Sequence, residues 1–264
     1  MEKMKKGNWS KRWIIFFSAA IVLLMACFTA NFLAHRDGSA VQTETHVDSI
    51  SIAYITDIHA DNADTKKDVG GNVIYPSNYK KCLEEVLSKK TDLVIATGDN
   101  TEKGDPSYYQ DLKSLTNGRN VIWVKGNHDS NDFQILSAKN YYYVDYQDWR
   151  IIVLDSTEQF GSSTGILDDA QINFLKDSLN TNKNMIVAMH HPPFFYNSRE
   201  NIYTRDKIAL YDSFFNALTP NVKYVLTGHW HHDIGSEING VQYLTEKALT
   251  QDGICNYKII NLPK

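Results

Sequence analysis

Residues 227–233 read Thr-Gly-His-Trp-His-His-Asp and follow the apolar run VKYVL. Imidazoles crowded in this way can do two things: exchange protons near neutral pH, or bind first-row divalent metals in their neutral form. Four more polar clusters stand in the same relation to an apolar run. Asp57-Ile58-His59 follows SIAYIT, and Gly98-Asp99-Asn100 follows LVIAT. Lys125-Gly126-Asn127-His128-Asp129 follows VIWV, and His190-His191-Pro192-Pro193 follows MIVAM. In extended chain, residues i and i+2 point the same way, so Asp57 and His59 are expected to face one point, as are His229 and His231. Glycines at 98, 126 and 228 let the backbone turn without a side chain in the way. Carboxylate and imidazole together suit a divalent metal, but the ligands are too many for one tetrahedral ion. One carboxylate shared between two ions accounts for the surplus.

Taken singly, each cluster has an ordinary structural explanation. A D-x-H triplet is commonplace, GNHD has the residues of a turn, and a lone histidine after a strand is more often a hydrogen-bonded loop residue. The weight lies in five such clusters, in order, at five strand ends.

The elements that must position them alternate. Apolar runs predict strands at 51–56, 93–97, 121–124, 151–155, 185–189, 223–227, 241–245 and 257–262. Amphipathic spacing predicts helices at 77–89, at 168–179 behind a capping Asp168, and at 208–218 before Pro220. Strand and helix in alternation mean an α/β domain, whose ligands bind beyond the carboxyl ends of the strands. No internal repeat or low-complexity segment interrupts 49–264, which reads as one domain.

As an ordered set, D-x-H, GD, GNH[DE], a further His and GH-x-H resemble the calcineurin-like metallophosphoesterase superfamily from Ser51 to about Thr245. The stretches TGDNTEKGDPSYY (97–109), Leu154-Asp155-Ser156 and Gly165 to Leu175 are similar to the branch containing bacterial cyclic-nucleotide phosphodiesterases. The resemblance implies a four-layer α/β/β/α sandwich and two divalent metal ions (Mn, Fe or Zn). Asp57, His59, Asp99 and His231 would hold the first. Asp99, Asn127, His190 and His229 would hold the second, with Asp99 bridging. His128 would stabilise charge on phosphorus and protonate the leaving oxygen, oriented by Asp129. His190 rather than His191 is the expected ligand, and His232 is expected to be a hydrogen-bonding spare. Two departures narrow the branch. The Asp-Arg-Gly of protein Ser/Thr phosphatases is replaced here by Thr101-Glu102-Lys103-Gly104, and the metal-binding Tyr of purple acid phosphatases by Glu102.

Residues 13–34 contain no charged side chain and as a helix would be about 33 Å long, enough to cross a bilayer. Lys3, Lys5, Lys6, Lys11 and Arg12 precede them, which keeps residues 1–12 in the cytoplasm and exports the rest. The expectation is a single-pass signal anchor at 13–34 and a tether at 35–48, holding the 49–264 domain outside the cytoplasm at the cell membrane. A cleaved signal peptide, or lipid attachment at Cys27 in Leu-Met-Ala-Cys, are the alternatives. Cys82 and Cys255 have no metal or redox spacing; a disulfide between them is permitted by export but not dictated by sequence.

Residues 1–12 hold five basic groups and one acid, and the whole chain carries −4, so residues 13–264 carry −8. That balance excludes general attraction for nucleic acid. The resemblance implies a small phosphomono- or phosphodiester as substrate, with cyclic nucleotides, phosphomonoesters and head groups of lipids or cell-envelope polymers as candidates. Two rival functions remain: a metal-bearing sensor whose catalysis has lapsed, and a nuclease of the same superfamily. Tyr141 to Tyr143, Phe194 to Tyr196 and Tyr203 are candidates for the site's edge, with ordinary packing the better expectation for most.

Overall fold

The computed structural model describes residues 49–157, 160–208 and 211–263. Strand β1 (Ser49–Ile55) leads into a small hairpin, β2 (Lys66–Lys67) and β3 (Val73–Ile74). Then come α1 (Tyr79–Ser88), β4 (Leu93–Thr97), α2 (Pro106–Leu115) and β5 (Val121–Val124). The second half runs β6 (Tyr142–Tyr146), β7 (Trp149–Val153), α3 (Asp169–Ser178), β8 (Asn184–Ala188), β9 (Phe194–Asn197) and β10 (Ile202–Lys207). It ends with α4 (Asp212–Ala217), β11 (Val222–Thr227), β12 (Ile234–Ile238), β13 (Val241–Thr245) and β14 (Lys258–Pro263).

Two sheets form, in the orders β14-β1-β4-β5 and β12-β13-β11-β8-β7-β6. Strands β1, β4 and β5 are mutually parallel, as are β7, β8, β11 and β13; the outer strands β14, β6 and β12 run antiparallel to their neighbours. The period of two in each strand divides its side chains between two cores. Ile50, Ile52 and Tyr54 of β1 pack between the sheets with Ile95, Val124, Ile151, Ile186 and Leu226. Ala53 and Ile55 of the same strand face outward onto Leu83 and Val86 of α1 and Leu112 of α2. On the far side Ile152, Val187 and Val225 pack against Leu175 of α3 and Phe214 of α4. The layers are therefore α/β/β/α, as the resemblance implied. Burial on both faces also explains why these strands read as unbroken apolar runs rather than alternating ones. Polar ties join the sheets: Trp149 Nε1 donates to the Pro263 carbonyl at 2.7 Å, and the Tyr54 hydroxyl donates to the Thr227 carbonyl.

All eight predicted strands are present, within a residue or two. The predicted 77–89 and 168–179 helices form, and Asp168 caps the latter by accepting from Gln171 N at 2.8 Å. The predicted 208–218 helix is shorter, Asp212–Ala217. Helix α2 was not predicted, although Asp105, which accepts from Ser107 N at 2.8 Å, and Pro106 mark its start. Cys82 of α1 and Cys255 before β14 form a disulfide. The expected anchor at 13–34 and tether at 35–48 lie outside the described residues. Among the described residues no helix is long and apolar enough to cross a membrane.

Candidate dinuclear metal centre

Because β1, β4 and β5 run parallel, their carboxyl ends deliver Asp57, His59, Asp99 and Asn127 to one edge of the first sheet. β8 and β11 deliver His190, His229 and His231 from the second. The two edges meet. His229 N donates to Asp57 Oδ2 at 3.0 Å, and His190 Nδ1 lies 2.8 Å from the Thr97 carbonyl oxygen.

The side chains form two clusters. In the first, His231 Nε2 lies 3.1 Å from Asp57 Oδ1 and 3.2 Å from His59 Nε2, which is 3.7 Å from Asp99 Oδ2. In the second, Asn127 Oδ1 lies 3.0 Å from both His190 Nε2 and His229 Nδ1, and His190 Nε2 is 3.4 Å from Asp99 Oδ1. Asp99 thus gives one oxygen to each. Bonds of about 2.1 Å to a first-row cation put neighbouring ligand atoms about 3.0–3.4 Å apart, so both donor sets fit a divalent metal in size and chemistry. All seven residues predicted as ligands are brought together.

The convergence has a different cause from the one predicted. Asp57, His59, Asp99, His229 and His231 do not alternate along extended chain; all five have left-handed backbone, with φ of 50°, 47°, 50°, 72° and 54°. Non-glycine residues seldom adopt it, and such strain gathers where surrounding structure enforces a functional geometry. Two glycines are required by close approach. A Cβ on Gly126 would stand 2.0 Å from Asp99 N, and one on Gly98, itself at φ +99°, 2.4 Å from His190 Nδ1.

Electrostatics point the same way. Burial pushes Asp57 and Asp99 up, but His231 beside the first and His190 beside the second outweigh it and hold both below the ordinary carboxylate range. Burial lowers the two histidines, but Asp99 raises His190 to about 9, and Asp57 raises His231 to about 10. His229, lowered first by burial and then by His190, falls to about 4. Two buried carboxylates demand nearby positive charge, which bound cations would supply.

His128 lines a cavity of about 660 Å³ above the clusters, with Tyr196, Trp230 and His232 on its wall. Its Nδ1 lies 2.9 Å from the Glu102 carbonyl oxygen. A carbonyl only accepts, so Nδ1 donates and Nε2 is the nitrogen left to exchange a proton with a ligand.

Asp129 does not orient His128, contrary to the sequence expectation. Its Oδ2 accepts from Gly126 N at 2.9 Å, Asn100 N at 3.1 Å and Asn100 Nδ2 at 2.8 Å. Its Oδ1 accepts from Thr101 N at 3.1 Å and the Tyr109 hydroxyl at 3.0 Å. It is a buried strut joining the GD loop to the GNHD loop. The carboxylate faces away from the imidazole that precedes it, and its own pKa rises to about 6 through burial and the charge of Asp99.

Sequence reasoning missed three participants. Glu102 Oε2 lies 2.8 Å from His59 Nδ1, Asp68 Oδ2 lies 2.7 Å from His231 Nδ1, and Lys66 Nζ lies 2.5 Å from Glu102 Oε2. Of the three, only Glu102 lies within a motif, three residues after Asp99. His191 stands behind the second cluster, its Nδ1 2.9 Å from Ser156 Oγ. Gln171 holds that loop by bonding the Asp155 N–H and carbonyl at 2.8 Å each, which accounts for the 154–156 and 165–175 stretches as a brace. His232 Nδ1 lies 2.5 Å from the Trp230 carbonyl oxygen, the expected spare. Of the aromatic candidates, Tyr196 edges the site. Phe194 and Tyr203 are core, and Tyr141 to Tyr143 line a separate cavity.

The chain is similar to several known proteins. Over 214 residues the chain is 29% identical to the 3',5'-cyclic-nucleotide phosphodiesterase of Nostoc sp., covering 74% of this chain and 76% of that one. It is 27% identical over 221 residues to the 3',5'-cyclic adenosine monophosphate phosphodiesterase CpdA of Haemophilus influenzae, covering 75% and 76%. A dimetal phosphatase from Danio rerio shares the fold, with a TM-score of 0.63 at 13% identity over 82% of this chain and 94% of that one. The profile described as calcineurin-like phosphoesterase matches residues 50–233. The chain belongs to the calcineurin-like phosphoesterase family, in the branch of the bacterial cyclic-nucleotide phosphodiesterases, and is a metal-dependent phosphoric ester hydrolase.

Proposed function

We propose that this enzyme is a dinuclear-metal phosphodiesterase acting outside the cytoplasm on a small phosphodiester, with 3',5'-cyclic nucleotides as the first candidates. The observation that carries the reading is the division of Asp99 between the two clusters, Oδ1 to one and Oδ2 to the other. When bound, two cations would supply positive charge for the phosphoryl oxygens and a nucleophile at neutral pH. They would also let the 49–264 domain, with 21 basic and 27 acidic side chains and so a charge of −6, attract an anion.

The chain's own residues do the rest. Asp57, His59, Asp99 and His231 would hold one cation, and Asp99, Asn127, His190 and His229 the other. His128 faces the cavity with Nε2 free to stabilise the phosphoryl group and hand a proton to the leaving oxygen. Trp230 and Tyr196, their ring centroids 5.4 Å apart, give the cavity an aromatic wall on which a planar base can rest. Mn, Fe or Zn would each suit the donor set.

Turnover of bis-p-nitrophenyl phosphate and of 3',5'-cyclic nucleotides with each metal in turn tests the activity. Tight metal binding without turnover of any diester would reject it in favour of a lapsed sensor. Export is supported by the apolar 13–34 segment with basic residues before it and by the Cys82–Cys255 disulfide, a bond that persists in oxidising compartments. Protease digestion of intact cells should remove the 49–264 domain; complete protection until lysis would place it inside.

A further inference from the structure

The two clusters are supported differently, and the difference lies in a short excursion of the chain. Behind the second cluster His190 is held by backbone, its Nδ1 2.8 Å from the Thr97 carbonyl oxygen, and His229 turns its Nδ1 inward, 3.0 Å from Asn127 Oδ1. Behind the first, both histidines are backed by carboxylates. His231 Nδ1 meets Asp68 Oδ2 at 2.7 Å, and His59 Nδ1 meets Glu102 Oε2 at 2.8 Å. Asp68 belongs to the β2–β3 hairpin. So does Lys66, whose Nζ lies 2.5 Å from the same Glu102 oxygen. One hairpin therefore grips His231 directly and His59 through Glu102.

The grip is prepared rather than incidental. Asn72, at the other end of the hairpin turn, donates from N to Asp68 Oδ1 and from Nδ2 to Asp68 Oδ2, each at 2.8 Å. Asp68 N returns a bond to the Asn72 carbonyl at 3.1 Å. The carboxylate is thus aimed before any ligand arrives. The Asp68 carboxylate on His231 Nδ1 keeps the proton there, leaves Nε2 as the lone-pair donor and makes that donor more basic. Glu102 approaches His59 Nδ1 without hydrogen-bond geometry and acts on it by charge.

Resting on the dinuclear reading above, we propose that the 66–74 hairpin is a positioning clip for the first metal site: Asp68 through His231, and Lys66 through Glu102 and His59, set that site's cation affinity independently of the second. Asp68 and Lys66 are positioning residues, since each acts through another side chain.

Calorimetric titration of Mn²⁺ into the metal-stripped full-length chain tests it, with the spin-coupled EPR signature of paired Mn²⁺ as a second readout. Wild-type protein should take two ions. Asp68→Asn should weaken one of them by about 10–100-fold and leave the other unchanged, so that at limiting Mn²⁺ the signal is mononuclear. Lys66→Met should act on the same ion more weakly. Asn72→Ala loosens the turn but keeps the carboxylate, and should cost less than Asp68→Asn. Unchanged affinity in Asp68→Asn, equal weakening of both ions, or an Asn72→Ala effect as large as that of Asp68→Asn would overturn the clip. A wild-type protein that takes fewer than two ions would instead remove the dinuclear premise, and the clip with it.

Discussion

His128 Nδ1 and the Glu102 carbonyl oxygen are 2.9 Å apart, so the imidazole is oriented by backbone from the GD loop and not by its neighbour in sequence. The ring is a third exposed, in the cavity wall, and belongs to neither ligand cluster. His128→Ala should therefore lower kcat by about 10²–10⁴-fold while metal content, read by elemental analysis, stays at the wild-type level. Loss of metal in that variant would show His128 to be a ligand.

Asp129→Ala should behave in the opposite way. Removing the carboxylate strands buried N–H and O–H donors from Gly126, Asn100, Thr101 and Tyr109, at a cost of about 3 kcal/mol or more. In a domain of this size that is a fall in Tm of roughly 6–12 °C, to be read by calorimetry. A variant that melts with the wild type and loses only kcat would restore Asp129 to a direct role in the chemistry.

Metal removal should make stability sensitive to alkali. Without cations, His190 and His231 are raised from an ordinary 6.5 to about 9 and about 10. A histidine with raised folded pKa contributes stability that is fully present below its unfolded pKa and lost as pH rises through the folded one. The chelated protein should therefore lose Tm between pH 6.5 and pH 10. Metal binding needs deprotonated imidazole and strengthens over the same range, so the gap in Tm between loaded and chelated protein should widen with pH. A gap that stays constant or narrows from pH 6.5 to 9 would contradict the assignment of these two histidines.

The Cys82–Cys255 bond joins residues 173 apart in sequence and pins α1 to the segment leading into β14. A closure that long removes much of the unfolded chain's freedom, so reduction should destabilise the domain by about 2–4 kcal/mol. Thermal melts with and without reductant measure this, and Cys82→Ser should reproduce the reduced value. Identical melts would mean that the bond contributes nothing to stability.

Much of the site was legible because its ligands sit one or two residues past strands buried on both faces. An unbroken apolar run followed by Asp, Asn or His is a local signal. What escaped was tertiary. Asp68 meets His231 across 163 positions, and nothing in KKDVGG announces it. Asp129 departs from what the resemblance implied for the converse reason: it follows His128 in sequence, yet the turn at Gly126 to Asp129 sends the two side chains apart. Helix α2 has a start signal in Asp105-Pro106, but its buried residues are Tyr109 and Leu112 alone, too short an apolar stripe to stand out as helical spacing. Strands β6 and β12 lie at sheet edges, where one-sided pairing leaves a weaker pattern.

The seam between the sheets has a mechanical consequence. Asp57, His59, Asp99 and Asn127 ride on one sheet, and His190, His229 and His231 on the other, so each cluster draws from both. Any sliding of one sheet across the other would stretch both sets of spacings together. The apolar interlayer of Ile52, Tyr54, Ile151 and Ile186 thus acts as the jig that holds catalytic tolerances, even though no atom of it belongs to the site.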